Sequence, residues 1–314
     1  DRSPSRGLGD VYKRQVVYGR YCSCYFKETH YVYGWDSRLF KEMLCFGGWN
    51  LWGGFATVFF SQGINILLNM FFGPVVNAAR GIAIQVQGAV VQFSINFQTA
   101  LNPQITKSYA LGDFTYMYSL IFRSSRFTFL LLAVISLPIL LETDMILRLW
   151  LKTVPHYTVL FVRLMLCIVI IDAMAGAFMV AAQSTGRIRV YQSVIGGILL
   201  SIVPISYLVL KLGAEPSSVF VVHLFICVFA FIVRLFIIHS MISFPLRSYF
   251  YQVLLRCLFV LLLACLLAGI GLAIAQTPKT ITGVVISEED NQPVVGASVL
   301  VKGCLLYTSD AADD

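Results

Sequence analysis

Residues Asn77 to Lys107 read NAARGIAIQVQGAVVQFSINFQTALNPQITK, and this stretch constrains what the rest of the chain can be. It has the length of a helix that crosses a bilayer. Yet it carries Arg80, Gln85, Gln87, Gln92, Asn96, Gln98, Asn102 and Gln104. An amide or guanidinium without a partner in hydrocarbon is costly, so a helix facing only lipid could not keep so many. At about 100° per residue, Gln85, Gln92 and Asn96 share one line along the helix, and Arg80, Gln87 and Gln98 share another roughly 140° away. Two polar seams predict a helix set against protein and a polar central space.

The composition agrees with a membrane setting: 58% of residues are hydrophobic and 12% are charged, against roughly 25% charged in a soluble domain. The net charge of +7 comes from Lys and Arg placed between apolar runs rather than in one patch. That placement fits the positive-inside rule, and it argues for membrane lipids and against nucleic acid as partners.

On the N-terminal side of the polar stretch, a span covers about Gly47 to Phe72, with Gln62, Asn65 and Asn69 on one face. Gly73-Pro74 joins the two as an antiparallel hairpin whose polar seams can face each other. Upstream, residues 16–46 are basic and amphipathic, and Asp36 is a candidate N-cap for a short interfacial helix ending at Phe46. Downstream, a polar loop spans Lys107 to Tyr118, and a third span from Phe122 to Leu141 opens on Arg123 and Arg126. Leu147, Trp150 and Leu151 predict a short interfacial helix. Further spans are expected at Val159 to Gln183, Val190 to Leu210 and Ser218 to Ile238. The fold class expected is an all-α polytopic membrane protein: a transmembrane bundle of six helices, or seven if residues 257–275 also cross, with a short β-rich C-terminal tail.

Lys and Arg place residues 16–44, 107–126, 184–189 and 239–250 on the cytoplasmic side. The unopposed Arg187 and Arg189 carry that orientation, whereas the loop at 142–158 balances Arg148 and Lys152 with Glu142 and Asp144.

Catalytic motifs are missing from the sequence: it has no Walker A loop, no G-x-S-x-G and no H-E-x-x-H. The four histidines are far apart, and the eight cysteines are scattered, without zinc spacing. The expectation is a protein that is not an enzyme, binds no metal and needs no cofactor, with its cysteines reduced and serving as small apolar fillers.

Asp172 lies deep in a predicted span. It is a candidate site for coupling to a proton or cation, or the structural partner of a base or amide. Arg163 and Arg234 are expected to snorkel towards the membrane surfaces. Arg80, near the outer end of its helix, is read either as a contact for an anionic headgroup or substrate phosphate or as an interfacial anchor. The amides Gln85, Gln87, Gln92, Asn96 and Gln98, with Gln62, Asn65 and Asn69, are read as cavity candidates, or else as interhelical hydrogen-bond partners.

The run GWNLWGGFATVFFSQGINILLNMFFGPVVNAARGIAIQVQGAVVQFSINFQTALNPQITKSYALGD resembles the seventh and eighth helices of Bacteroidetes polysaccharide flippases, within the superfamily of multidrug, oligosaccharidyl-lipid and polysaccharide exporters. The likeness extends through ETDMILRLWLKTVP to about Tyr249. It implies residues 47–250 are the second of two helical bundles around a central cavity in the bacterial inner membrane, alternating access to a lipid-linked saccharide. It also implies that a first, N-terminal bundle is needed for function. Some members of the superfamily export cationic drugs instead.

Three further segments carry resemblances. Arg256, the leucine-rich run to Ala273-Ile274-Ala275, and the alternating stretch TPKTITGVVISEEDNQPVVGASVLVKG resemble a signal peptide and the start of a carboxypeptidase-regulatory-like domain in TonB-dependent outer-membrane transporters. Residues 251–275 are thus a seventh apolar helix or a signal peptide, and 276–303 a partial β segment, with a chimeric junction expected near Tyr251 to Leu263. SPSRGLGDVYKRQ and CLLYTSDAADD resemble translated sequencing-adapter read-through, so 1–15 and 304–314 are expected to be artefactual, the former without a packed element.

Overall fold

The computed structural model describes residues 4–26, 29, 34–151 and 153–275. The β segment and tail expected at 276–314 lie outside the described residues. The chain divides into two compact units, Asp1–Leu262 and Leu263–Asp314. In the second, the described residues are helical up to Ala275, a conformation that a membrane span and a signal peptide share. The first unit holds the helical bundle.

Helix α1, Pro4–Tyr25, forms where no packed element is expected, and from Tyr12 onward nearly all of its side chains are exposed. Helix α2 runs unbroken from Ser37 to Phe72. Asp36 caps it, accepting from the backbone N–H of Arg38 at 2.8 Å and of Leu39 at 3.2 Å. The short interfacial helix expected before Gly47 is therefore the first turns of α2. Neither glycine of Gly47-Gly48 breaks the helix.

Gly73 ends α2 with a positive φ of 79°, and Pro74 starts α3 in its first turn, where the missing N–H costs nothing. Helix α3 then runs to Ala110. The turn after it is only Leu111 to Asp113, because Asp113 accepts from the Tyr116 N–H at 3.0 Å and starts α4, Phe114–Leu141, about two turns earlier than the apolar run alone indicates. Helix α5, Thr143–Trp150, forms as expected and buries Leu147.

The next two spans are each broken. Helix α6, Thr158–Met174, and α7, Gly176–Ser184, are interrupted at Ala175. Helix α8, Arg189–Leu200, and α9, Ile202–Lys211, are interrupted at Ser201. Helix α10 covers Ser218–Ile242, a full turn longer than expected. Helix α11, Leu246–Tyr249, passes through a π-helical turn, Phe250–Leu254, into α12, Leu255–Ala275.

Among the described residues, six helical segments are long and apolar enough to cross a membrane: Ser37–Phe72, Phe114–Leu141, Thr158–Ser184, Arg189–Lys211, Ser218–Ile242 and Leu246–Ala264. The chain is an all-α polytopic membrane protein. Helix α3 is absent from those six because its amides lower its mean hydropathy, although its 37 residues span farther than any of them. It packs against α2, α4, α6 and α7, while α2 packs against α8 and α9 and α10 against α6 to α9. Helix α3 thus has four helices packed on one side, which gives part of its polar surface protein partners, while Gln85, Gln92 and Asn96 stay exposed.

Candidate functional site

The two seams of α3 meet different surroundings. On the first, Arg80 is 3% exposed. It donates to Asn65 Oδ1 and, through Nη2, to the Ser61 carbonyl at 3.0 Å and the Ser61 hydroxyl at 3.3 Å. The guanidinium thus bonds α2 and clamps the hairpin from inside. Gln98, on the same seam, donates from Nε2 to the Ala173 carbonyl at 2.8 Å and to the Ser94 hydroxyl at 3.3 Å. Gln87 between them is half-buried.

On the second seam Gln85, Gln92 and Asn96 are exposed. Gln92 donates to Asn96 Oδ1 at 3.1 Å, a bond within the seam itself. Beside them Ala78, Gly81, Gly88 and Ala89 are exposed, and a Cβ added at Gly81 or Gly88 would meet open space, while the larger Ile84, Phe93 and Ile95 are exposed at the flanks. On α2, Gln62 and Asn69 are exposed, while Asn65 donates to Gln62 Oε1 at 3.0 Å and accepts from Arg80.

Asp172 sits near the middle of the span Thr158–Ser184, three residues before the break at Ala175. A broken helix leaves backbone carbonyls without their i+4 donors, and in a membrane these need other partners. Gln98 of α3 supplies one to Ala173, and the buried Ser125 of α4 supplies another to Met174 at 2.9 Å. Gly176 makes room for the first, since a Cβ there would overlap the Gln98 amide. The break is built into the packing of three helices.

Beside the break, Arg234 Nη1 of α10 donates to Asp172 Oδ1 at 2.6 Å. The pair is asymmetric, with the Arg234 side chain 12% exposed and that of Asp172 57% exposed. Asp172 faces a cavity of about 410 Å³ lined also by Asn50, Thr57, Tyr191 and Gln192. Gln192 and Gln183 both donate to Asn50 Oδ1, at 3.4 and 3.2 Å, so an amide cluster joins α2, α7 and α8 along this wall. Gly53 admits it, since a Cβ there would overlap the Gln192 amide.

The snorkelling role read for Arg234 is replaced by this pairing. The signal was available: Arg234 lies eight residues from the end of α10, about 12 Å along the axis, too deep for its head to reach the surface once the helix extends to Ile242. Arg163 stays exposed near the start of α6 and donates from Nε to Thr143 Oγ1 at 3.2 Å, at the start of α5. Asn50, Tyr191 and Gln192 are absent from the candidates read in the sequence, though the rule that marks the amides of α3 applies to Asn50 and Gln192 equally. Of the described cysteines, Cys227 and Cys257 are buried as fillers would be, whereas Cys24 and Cys45 are exposed.

No family model, no curated protein and no solved structure matches this chain.

Proposed function

We propose that this chain is one bundle of an alternating-access transporter of the bacterial inner membrane. It would move a lipid-linked oligosaccharide or polysaccharide unit without covalent chemistry. The observation that carries the reading is the mid-membrane cavity at the α6–α7 break, where the Asp172–Arg234 pair and the Asn50–Gln192 amides converge. Interrupted helices beside polar cavities near the bilayer midplane are where transporters bind substrates and coupling ions. Hydroxyls and amides of a saccharide find donors and acceptors there. The sequence resemblance to polysaccharide flippases supports the same class. The exposed Gln85–Gln92–Asn96 seam supports a second bundle as its counterpart, since this face is too polar for lipid.

The test is translocation of a fluorescent lipid-linked oligosaccharide in proteoliposomes by the full-length transporter, comparing the unaltered protein with Asp172→Asn and Arg234→Gln. Loss of translocation in both is expected. Unaltered rates in both would remove the cavity from the mechanism. The resemblance extends also to exporters of cationic drugs, and the half-exposed carboxylate of Asp172 suits a cation. Drug accumulation that depends on a proton or sodium gradient, with no glycolipid movement, would establish that second reading.

A further inference from the structure

The end of the bundle where α4 begins and α10 ends carries a second polar cavity. Its volume is about 380 Å³, and the side chains that line it include Thr115, Ser119, Arg123, Arg126, Ser248 and Gln252, with no carboxylate among them. Arg123 and Arg126 are three apart on α4, hence neighbours on one helix face. Among the described residues neither makes a salt bridge. The two guanidiniums and the hydroxyl and amide groups opposite them form a cluster with donors in excess, which calls for an anion that accepts several hydrogen bonds.

The pocket is also rigidly backed. Its floor is an aromatic cluster in which Phe244 packs on Tyr118, Phe122, Phe178 and Tyr249 with ring centroids 5.5–5.7 Å apart. Tyr118 donates its hydroxyl to the Ile242 carbonyl at 2.5 Å, tying the start of α4 to the end of α10. The far wall is α11 and the π-helical turn Phe250–Leu254, which brings Gln252 to the cavity. Such turns inside helices often mark functional positions.

Its location names the source of the anion. Arg38, Lys41, Lys107, Arg187, Arg189 and Arg247 lie at the same end of the bundle, which the positive-inside rule assigns to the cytoplasmic surface. Exposed Phe127, Phe250, Tyr251 and Leu255 lie on the two helical segments that form its walls, where acyl chains would run. We propose that this pocket binds the phosphodiester headgroup of an anionic phospholipid from the cytoplasmic leaflet. Basic pockets between membrane helices on this side are suited to such headgroups. The site is separate from the cavity at Asp172 and does not depend on the transport reading.

The full chain, purified in detergent, is titrated with phosphatidylglycerol or phosphatidylcholine, and bound lipid is counted by native mass spectrometry. Phosphatidylglycerol is expected to be retained in preference. Arg123→Gln with Arg126→Gln should weaken it about 30-fold, each arginine at an anionic headgroup contributing roughly a factor of five. Arg148→Gln, at the opposite end, should leave it unchanged. Equal retention of the two lipids by the unaltered chain, or equal weakening by Arg148→Gln, would overturn the assignment. Displacement of the lipid by millimolar inorganic phosphate would also overturn it, in favour of a soluble phosphate site. If the glutamine pair fails to fold, the competition of the two lipids on the unaltered chain decides alone.

Discussion

The two polar seams of α3, one of amides and one of amides with Arg80, lie on one helix and end in opposite situations. Arg80 and Gln98 on the inner seam are committed to holding α2, α3 and α6 together. Gln85, Gln92 and Asn96 on the outer seam bond no other helix of this chain among the described residues. Polarity in a span therefore signals a need for partners and does not say whether the partner is structural. Interhelical hydrogen bonds are worth only about 1 kcal/mol each. Arg80 and the Gln98 Nε2 group are engaged by neighbouring helices, whereas the outer seam makes no such bond among the described residues.

Substitutions along the two seams should differ in a graded way. Arg80→Ala should have the largest effect on the stability of the chain itself, about 3 kcal/mol, because it removes a buried charged donor and strands the Asn65 and Ser61 oxygens. Thermal unfolding in detergent measures it, and an unchanged midpoint would show that the inner seam is not a clamp. Asp172→Ala should cost less, about 2 kcal/mol. Removing one partner of a buried pair is expensive, but this carboxylate is more than half exposed to the cavity, so water screens part of the loss. Arg234→Gln in the Asp172→Ala background should recover part of that stability by removing the buried charge left unpaired, which a double-mutant cycle resolves.

Gln98→Leu should cost about 1 kcal/mol through the unpaired Ala173 carbonyl and should speed hydrogen exchange at the α6–α7 junction. The smallest effect belongs to the outer seam. Gln92→Leu with Asn96→Leu should change stability by less than about 0.5 kcal/mol, as for surface positions. On the proposed transport function, the same pair should lower translocation by about tenfold, or roughly 1.4 kcal/mol of barrier. A stability loss as large as that of Arg80→Ala would mean that the two seams do not differ.

Much of the fold is legible in local chemistry. Asp36 and the Gly73-Pro74 turn are visible because a cap and a helix start need particular residue types wherever they occur. Helix lengths are less legible: α4 begins at Phe114 rather than Phe122, because a capping Asp113 outweighs the polarity of the first two turns. The break at Ser201 is marked by Pro204, which has no N–H to offer the Leu200 carbonyl, whereas the break at Ala175 carries no proline. At Ala175 the compensating donors, Gln98 and Ser125, come from helices far away in sequence.

Residue chemistry alone establishes that this is a polytopic helical membrane protein, that α3 needs polar company, and that Asp172 needs a partner. Those follow from transfer energies and helical period, which are properties of the residues. That the partner is Arg234, that Arg80 is a clamp, and that one seam of α3 bonds neighbouring helices while the other bonds none among the described residues emerge only from the packed bundle. Pairing depends on which helix faces lie side by side, and a seam of amides looks the same along the chain whether its partners are present or not.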